Sequence, residues 1–216
     1  MRDFLQFLRE TSYPGRGIVV GRDRVYYFIM GRSANSRNRI FVPTEDGIRT
    51  EAYDPTKLED PSLIIYHPVR RVGDTLIVTN GDQTDTIRDY VLAGKSWEEA
   101  LATREFEPDA PNYTPRISAL LETDGSFRMS ILRRDAEDGS CRRDFFAYPP
   151  CEAGEGRFLS TYQGDGDPLP SFQGGPMAIT MPEPEEVWAA LDPENKIALY
   201  ANVGGTVRIF NKNLGD

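Results

Sequence analysis

The 216-residue chain is poor in the residues that build metal centres, disulfide frameworks and membrane spans. Its lone histidine, His67, leaves no room for a histidine-based metal cluster and disfavours a Ser-His-Asp triad. The two cysteines, Cys141 and Cys151, are too few for a zinc site or a disulfide framework. No apolar run reaches the roughly 18 residues that suggest a membrane span, and the first residues lack a signal peptide's apolar segment. We therefore expect a soluble, cytoplasmic protein without a metal.

Lysine is also scarce, because arginine supplies 21 of the 25 basic side chains. The net charge of −9 argues against a nucleic-acid partner, which would require a basic face. Residues 16–39 nevertheless carry six arginines and one acid, Asp23, so this segment has a charge of +5 and the remainder −14. Because arginine matches phosphate with two parallel donors, the cluster fits a small-anion pocket. Scattered charges on a solvated strand face are the equally weighted alternative.

The apolar residues follow strand and helix periods over most of the chain. Hairpin strands with helices in pairs predict an α+β fold in which two antiparallel sheets stack and helices lie outside. We expect one domain over residues 1–216 that begins with a leader helix within residues 1–12. Residues 43–62 are predicted to form a surface excursion. Helices are predicted at 2–9, 86–94, 96–104 and 183–191, and strands at 17–21, 25–31, 39–43, 62–69, 75–80, 116–122, 127–134, 143–149, 157–163, 196–203 and 206–211.

An unusually polar loop, NGDQTDT at residues 80–86, follows one of the apolar strands. Asn80-Gly81 is a strong turn signal, and Thr84 or Asp85 is a plausible N-cap for the next helix. This simple explanation leaves Asp82, Gln83 and one threonine without a role. A helix N-terminus also offers free N–H groups to an anion, so the loop is equally a candidate for holding a polar ligand.

Four blocks, in order, resemble a known family. They are YPGRGIVVG at 13–21, GRSANSRNR at 31–39, RVGDTLIVTNGDQTDTI at 71–87 and FEPDAPNYTPRISA at 106–119. Together they resemble the archaeal-type inosine monophosphate (IMP) cyclohydrolases and span about half of the chain. The leader at 1–12 and the excursion at 43–62 depart from that family's pattern.

The resemblance implies a cyclohydrolase that closes 5-formamidoimidazole-4-carboxamide ribonucleotide to IMP with loss of water. This reaction is the last step of de novo purine biosynthesis, and the family uses neither metal nor cofactor. The resemblance also implies a four-layer α-β-β-α sandwich, the fold of the N-terminal-nucleophile hydrolases. The partner would be a small purine ribonucleotide rather than nucleic acid or membrane. A homo-oligomer is compatible with the sequence, which does not define the oligomeric state.

The resemblance assigns roles to individual residues. Arg37, Tyr66 and Glu107 are the expected catalytic residues, acting on developing charge and on protons, with their individual roles left open. His67 is expected to be structural, because on a strand it would point away from the face that carries Tyr66. The expected substrate-binding residues are Arg16, Arg32 and Arg116 for the phosphate, and Asn80, Gln83, Thr84 and Asp85 for the ribose or the base.

Two other functions fit parts of the sequence. Removal of the leader would expose Thr11 or Ser12 as the nucleophile of an N-terminal-nucleophile amidohydrolase. A purine-nucleotide-binding module without catalysis is the second alternative. The presence of Arg37, Tyr66 and Glu107 together disfavours that module, and turnover of the formamido ribonucleotide would distinguish the two.

Overall fold

Apolar strands joined mostly by short turns form two antiparallel sheets in the computed structural model, which describes residues 1–216. The strands of the first sheet are β1 (Arg16–Gly21), β2 (Arg24–Met30), β10 (Glu155–Ser160), β11 (Met177–Thr180), β12 (Lys196–Val203) and β13 (Thr206–Asn211). The strands of the second sheet are β3 (Arg39–Pro43), β4 (Gly47–Ala52), β5 (Val69–Val72), β6 (Thr75–Thr79), β7 (Arg116–Leu121), β8 (Phe127–Arg134) and β9 (Cys141–Tyr148). The first sheet has the order β11-β10-β1-β2-β12-β13, and the second runs from β3 to β9 in chain order.

The main core lies between the two sheets. Side chains alternate along each strand, so Ile18 and Val20 of β1 meet Ile117 and Ala119 of β7 in one cluster of 20 buried residues. Burial of this apolar surface on both sheets favours their stacking. The structure is therefore a mixed α/β chain in which two antiparallel sheets form a sandwich.

Four of the five helices cover parts of the outer faces. The bounds of all five are α1 (Phe4–Glu10), α2 (Ala34–Arg37), α3 (Gln83–Leu92), α4 (Trp97–Ala102) and α5 (Pro184–Ala190). Residues of α1 and α5 share an apolar cluster with the first sheet, whereas α3 and α4 share one with the second. None of these helices combines the length and the apolar character that a membrane-spanning helix needs.

Local sequence signals account for three features of the fold. Ser96 and Glu99 form the reciprocal capping box at the start of α4. The turn at Asp124-Gly125 joins β7 to β8, and Gly125 has a φ of +83° that favours glycine. The last two strands, β12 and β13, also form an antiparallel hairpin.

Three local predictions are wrong. Residues 62–68 contain no strand, since β5 begins only at Val69. The excursion at 43–62 contains β4, which lies inside the second sheet between β3 and β5. Helix α3 begins at Gln83, and its N-cap is Asp82 rather than Thr84 or Asp85. The charged residues Arg49 and Glu51 conceal the strand pattern of β4, in which Ile48 and Thr50 are fully buried.

Candidate active site

A group of polar side chains is buried at the end of the sandwich where β1, β3 and β7 begin and β2 ends. We call it the buried polar cluster; its members are Arg16, Tyr27, Arg39, Tyr66, Glu107 and Arg116, none of which is more than 8% exposed. Charged groups are rarely buried unless they are paired or functional. Three arginines and one carboxylate in such a place therefore indicate a site rather than a structural core.

Arg39, the first residue of β3, is fully buried, and its Nε donates to the carbonyl oxygen of Ser36 at 2.7 Å. Its Nη1 and Nη2 have no hydrogen-bond partner, and neither does Nε of Arg16. Burial lowers the pKa of Arg39, while the neighbouring Tyr66 opposes this change. Unused donors on two adjacent guanidinium groups are costly unless an acceptor, such as an anionic ligand, binds between them.

Glu107 lies in the loop before β7, where its backbone N–H donates to the carbonyl oxygen of Thr114 at 2.8 Å. It is only 2% exposed, and burial raises the pKa of its carboxyl to about 7, against the opposing charges of Arg16 and Arg116. Since desolvation disfavours the charged form, this carboxyl is poised between its two protonation states near neutral pH. Such a group can both accept and donate a proton.

Tyr66 is oriented from two sides. Its hydroxyl is 2.8 Å from the hydroxyl of Tyr27 on β2. Its backbone N–H donates to Oγ1 of Thr50 at 2.9 Å, and the N–H of Thr50 donates back to the carbonyl oxygen of Tyr66 at 2.9 Å. Because Thr50 belongs to β4, the strand that the sequence failed to predict is the one that fixes this tyrosine.

Arg116, at the start of β7, is held by the polar loop at 80–83. Its Nη1 donates to Oε1 of Gln83 and to Oδ1 of Asp82, each at 2.7 Å. A Cβ on Gly81 would lie 2.5 Å from the same Nη1, so only glycine allows this close approach. Asp82 also pairs with Arg104, which fixes its carboxylate from the other side.

Asn80 anchors this loop to the sheet. Its side-chain oxygen accepts hydrogen bonds from Nε2 of Gln83 at 3.0 Å and from the N–H of Ile117 at 2.8 Å. Its Nδ2 donates to the carbonyl oxygen of Pro115 at 2.9 Å. The loop therefore connects the end of β6 to the start of β7 and thereby fixes the position of Arg116.

A cavity of about 230 Å³ opens beside the buried polar cluster and is lined by Arg16, Arg32, Tyr13, Asp109 and Tyr162, among others. Arg32 lies over the ring of Tyr13, with its Cζ 5.1 Å from the ring centroid. The exposed Arg32 and the buried Arg16 supply two cations to the lining, against the single carboxylate of Asp109. This lining suits an anionic ligand.

Metal ligands are not grouped in this structure. No set of three or more histidine, cysteine, aspartate or glutamate side chains is arranged to hold a metal ion. Cys141 and Cys151 are both free thiols.

Comparison with known proteins adds an independent finding. A family model described as IMP cyclohydrolase-like protein matches residues 13–206. The chain belongs to this family. A protein of Methanococcus maripaludis strain C6 named IMP cyclohydrolase is 30% identical over 161 residues, which cover 70% of this chain and 75% of the relative. Another of that name, from Halobacterium salinarum strain R1, is 33% identical over 128 residues, 57% of this chain and 64% of the relative.

Within this member of the IMP cyclohydrolase-like family, four of the residues singled out from the sequence lie together. Arg16, Tyr66, Glu107 and Arg116 all belong to the buried polar cluster. Arg32 lies at the mouth of the cavity, where its Nη1 pairs with Oδ1 of Asp165 at 2.5 Å. Their chemical roles stay predictions.

Arg37 lies apart from the cluster. It is exposed at the end of α2, where its Nε donates to the carbonyl oxygen of Gly31 at 3.0 Å. Its Nη2 donates to Oδ1 of Asn195 at 3.2 Å. Arg37 makes no contact with Tyr66 or Glu107, and the catalytic role expected for it stays a prediction.

The remaining residues expected to bind substrate are engaged within the protein. Asn80 and Gln83 serve the anchor described above, and Oγ1 of Thr84 lies 2.6 Å from Oγ1 of Thr79. Oδ1 of Asp85 pairs with Nε of Arg70 at 2.7 Å, and Nη2 of the same arginine lies 3.0 Å from Nδ1 of His67. His67 therefore faces this ion pair, and because residues 62–68 form no strand, its orientation does not follow from strand alternation.

Arg39 and Tyr27 were not predicted as site residues from the sequence, and Asp82 was noted only as a member of the polar loop. A usable signal existed for two of them. Tyr27 alternates with Val25 and Ile29 on β2, so it faces the core between the sheets, where a phenol needs a partner. Arg39 alternates with the buried Phe41 in the same way. Nothing in the sequence indicated that Asp82 would pair with Arg116 and Arg104.

Proposed function

We propose that this chain is an IMP cyclohydrolase, which closes 5-formamidoimidazole-4-carboxamide ribonucleotide to IMP with loss of water. Membership of the IMP cyclohydrolase-like family and the names of the archaeal relatives support this activity. One observation carries the chemistry: Glu107, with a pKa raised to about 7 by burial, lies near Arg16 and Arg116 in an enclosed polar site.

The reaction closes one C–N bond and loses one molecule of water. The carboxamide nitrogen attacks the formyl carbon and gives up one proton, and the formyl oxygen takes up a proton to become a hydroxyl. The C–O bond then breaks while the formamido nitrogen loses its proton and forms the C=N bond of the ring, so the water that leaves carries one hydrogen from each nitrogen. The substrate thus needs a proton carrier, a donor for the developing oxyanion, and a conformation that brings nitrogen to carbon.

Glu107 is the proposed proton carrier. As a carboxylate it accepts a proton from the attacking nitrogen, and as the resulting acid it returns this proton to the departing oxygen. One group can perform both transfers because a pKa of about 7 keeps either form accessible at neutral pH. An ordinary glutamate, which has a pKa near 4.3, would be a much weaker acid–base pair for this purpose.

Tyr66 and Arg39 are the proposed donors to the oxyanion. The phenol of Tyr66 is a neutral donor, and the Nη atoms of Arg39 are buried without partners beside it. Arg39 suits this role better than Arg37, whose guanidinium already donates to Gly31 and Asn195. Fixed donors in a water-poor site stabilise developing charge strongly because they need no reorganisation.

The 5′-phosphate is proposed to bind the remaining arginines. Arg32 and Arg16 line the cavity, and Arg116 is held rigidly by Asp82 and Gln83. In this account the loop at 80–85 acts mainly by positioning Arg116. Direct contacts of Asn80, Gln83, Thr84 or Asp85 to ribose or base stay predictions.

We further propose the four-layer α-β-β-α arrangement of the N-terminal-nucleophile hydrolases, with residues 1–216 as one domain. The distribution of apolar clusters supports the layers, since α1 and α5 pack on one sheet and α3 and α4 on the other. The leader helix α1 supports the single domain, because Phe4 and Leu8 are buried in the cluster of the first sheet.

Synthetic formamido ribonucleotide tests the activity directly. Formation of IMP, followed by ultraviolet absorbance, should occur at the same rate with and without a chelator, because arginine and tyrosine supply the charge stabilisation. Activity that a chelator abolishes and a divalent ion restores would contradict the cofactor-free mechanism. Tight IMP binding without turnover would instead favour the non-catalytic nucleotide-binding module.

A further inference from the structure

Tyr27 is a buried phenol that the proposed reaction does not use directly. It is fully buried on β2, and its ring stacks on that of Phe41 with centroids 5.7 Å apart. The hydroxyl of Tyr66, at 2.8 Å, is the only group within hydrogen-bond distance of its own hydroxyl. Burial raises the pKa of Tyr27 well above its usual value, so it stays protonated.

The burial of the two phenols favours one direction of the hydrogen bond. If Tyr66 donated to Tyr27, the fully buried hydrogen of Tyr27 would have no acceptor, which is costly. If Tyr27 donates to Tyr66, its hydrogen has an acceptor, and the hydrogen of Tyr66 stays available to a ligand bound at the buried polar cluster.

We propose that Tyr27 is a positioning residue that holds Tyr66 as a hydrogen-bond donor to the reacting formyl oxygen. This inference rests on the proposed function. As charge develops on the substrate oxygen, the oxygen of Tyr66 becomes more negative, and the hydrogen bond from Tyr27 strengthens. An interaction that is stronger in the transition state than in the ground state affects kcat rather than KM.

The chain offers a matched control. Tyr26 is the neighbouring residue on β2, is also fully buried, and donates from its hydroxyl to the carbonyl oxygen of Pro182 at 2.9 Å. It faces the opposite side of the sheet, in the cluster that contains α1 and α5. Tyr26→Phe therefore removes the hydrogen bonds of one buried phenol on the same strand, including the one it accepts from Nη1 of Arg24 at 3.4 Å, without touching Tyr66.

The experiment compares kcat and KM of the wild type, Tyr27→Phe, Tyr26→Phe, Tyr66→Phe and the Tyr27→Phe/Tyr66→Phe double variant. Tyr27→Phe should lower kcat about 10- to 100-fold, as expected for a hydrogen bond to a group that gains charge, and should leave KM within about threefold. Tyr26→Phe should stay near the wild type. The double variant should match Tyr66→Phe within about threefold, because Tyr27 acts through the hydroxyl of Tyr66.

A spectroscopic readout separates this inference from the activity itself. With tyrosine labelled by ¹³C at Cζ, the NMR signal of Tyr66 should move in Tyr27→Phe and stay in place in Tyr26→Phe. A stationary signal, a near-wild-type kcat for Tyr27→Phe, or a further loss in the double variant would overturn the inference while the cyclohydrolase activity stands. A wild type without turnover would refute the proposed function, and the positioning role with it, even if the signal moves.

Discussion

Substitution of Glu107 by glutamine should change how the stability of the protein depends on pH. Burial raises the pKa of this carboxyl from 4.5 to about 7 in the folded chain. The folded state therefore binds the proton more tightly than the unfolded state does. The stabilising contribution is complete below pH 4.5, falls as the pH rises toward 7, and is lost above that value. Glutamine mimics the neutral acid at every pH and removes this dependence.

The size of the effect follows from the two pKa values. One pKa unit corresponds to about 1.4 kcal/mol, so keeping the buried carboxylate ionised costs the folded state about 3 kcal/mol above pH 7. Part of this cost is already present at pH 5, where the unfolded carboxyl has started to ionise. Relative to the wild type, Glu107→Gln should therefore gain about 2–3 kcal/mol of unfolding free energy between pH 5 and pH 8.

Urea unfolding of both proteins at pH 5 and pH 8 measures this difference. The comparison between variant and wild type removes the contributions of the other titrating groups. Glu105→Gln, in an exposed position of the same segment, is the matched control and should show no such change. Equal pH dependence for Glu107→Gln and the wild type would mean that Glu107 is solvated in the folded protein, which would refute the reasoning for its catalytic role.

The other predictions concern the arginines and the ligand. Arg39→Lys should lower kcat on the order of 10²–10³-fold, since an ammonium cannot reproduce the planar guanidinium donor. Arg37→Lys should keep kcat within a few-fold of the wild type. Steady-state kinetics in which Arg37→Lys loses more than Arg39→Lys would support the catalytic role expected of Arg37 from the sequence. Asp82→Asn should loosen Arg116 and weaken IMP binding about 5- to 10-fold, as measured by calorimetry. The control Asp89→Asn, which removes a surface ion pair of α3, should have little effect on IMP binding. Equal weakening by both variants would argue that Asp82 does not specifically position Arg116. IMP should bind, while duplex RNA should not; salt-sensitive micromolar binding of RNA would show that the arginines form a nucleic-acid surface.

Much of the fold could be predicted where partners lie close together in the sequence. The β7–β8 and β12–β13 hairpins and the capping box of α4 depend on turn residues and on contacts within a few positions. Pairing between strands that lie far apart in the sequence leaves a weaker signal in the amino-acid pattern. β10 pairs with β1 in the first sheet, although it follows β9 of the second sheet in the chain. The residues of β10 and its neighbours in sequence carry no signal for which of the two sheets the strand joins.

The 43–69 region shows why short polar strands escape prediction. β4 alternates buried Ile48 and Thr50 with charged neighbours over only six residues, so its composition indicates a loop. The apolar run that contains Ile64 and Tyr66 indicates a strand, but it packs as turns against β4. In both cases tertiary burial overrides the local pattern.

The site was predicted in part for a similar reason. The family resemblance indicated Tyr66, Glu107 and two arginines that the structure brings together in the buried polar cluster, but it indicated Arg37 rather than Arg39. These two arginines stand two positions apart, and strand alternation would give them the same environment. The chain instead passes from the end of α2 into β3 between them, so Arg37 is exposed while Arg39 is buried.

The most direct test of the account is the pH profile of kcat/KM for IMP formation by the wild type and by Glu107→Gln. Because the free enzyme must hold Glu107 as the carboxylate that accepts a proton, kcat/KM of the wild type should rise with pH around a midpoint near 7. Glu107→Gln should lose roughly 10²–10⁴-fold and lack this rise, while it still binds IMP within a few-fold. A Glu107→Gln variant with near-wild-type kcat/KM and an unchanged profile would contradict the claim that Glu107 moves the proton.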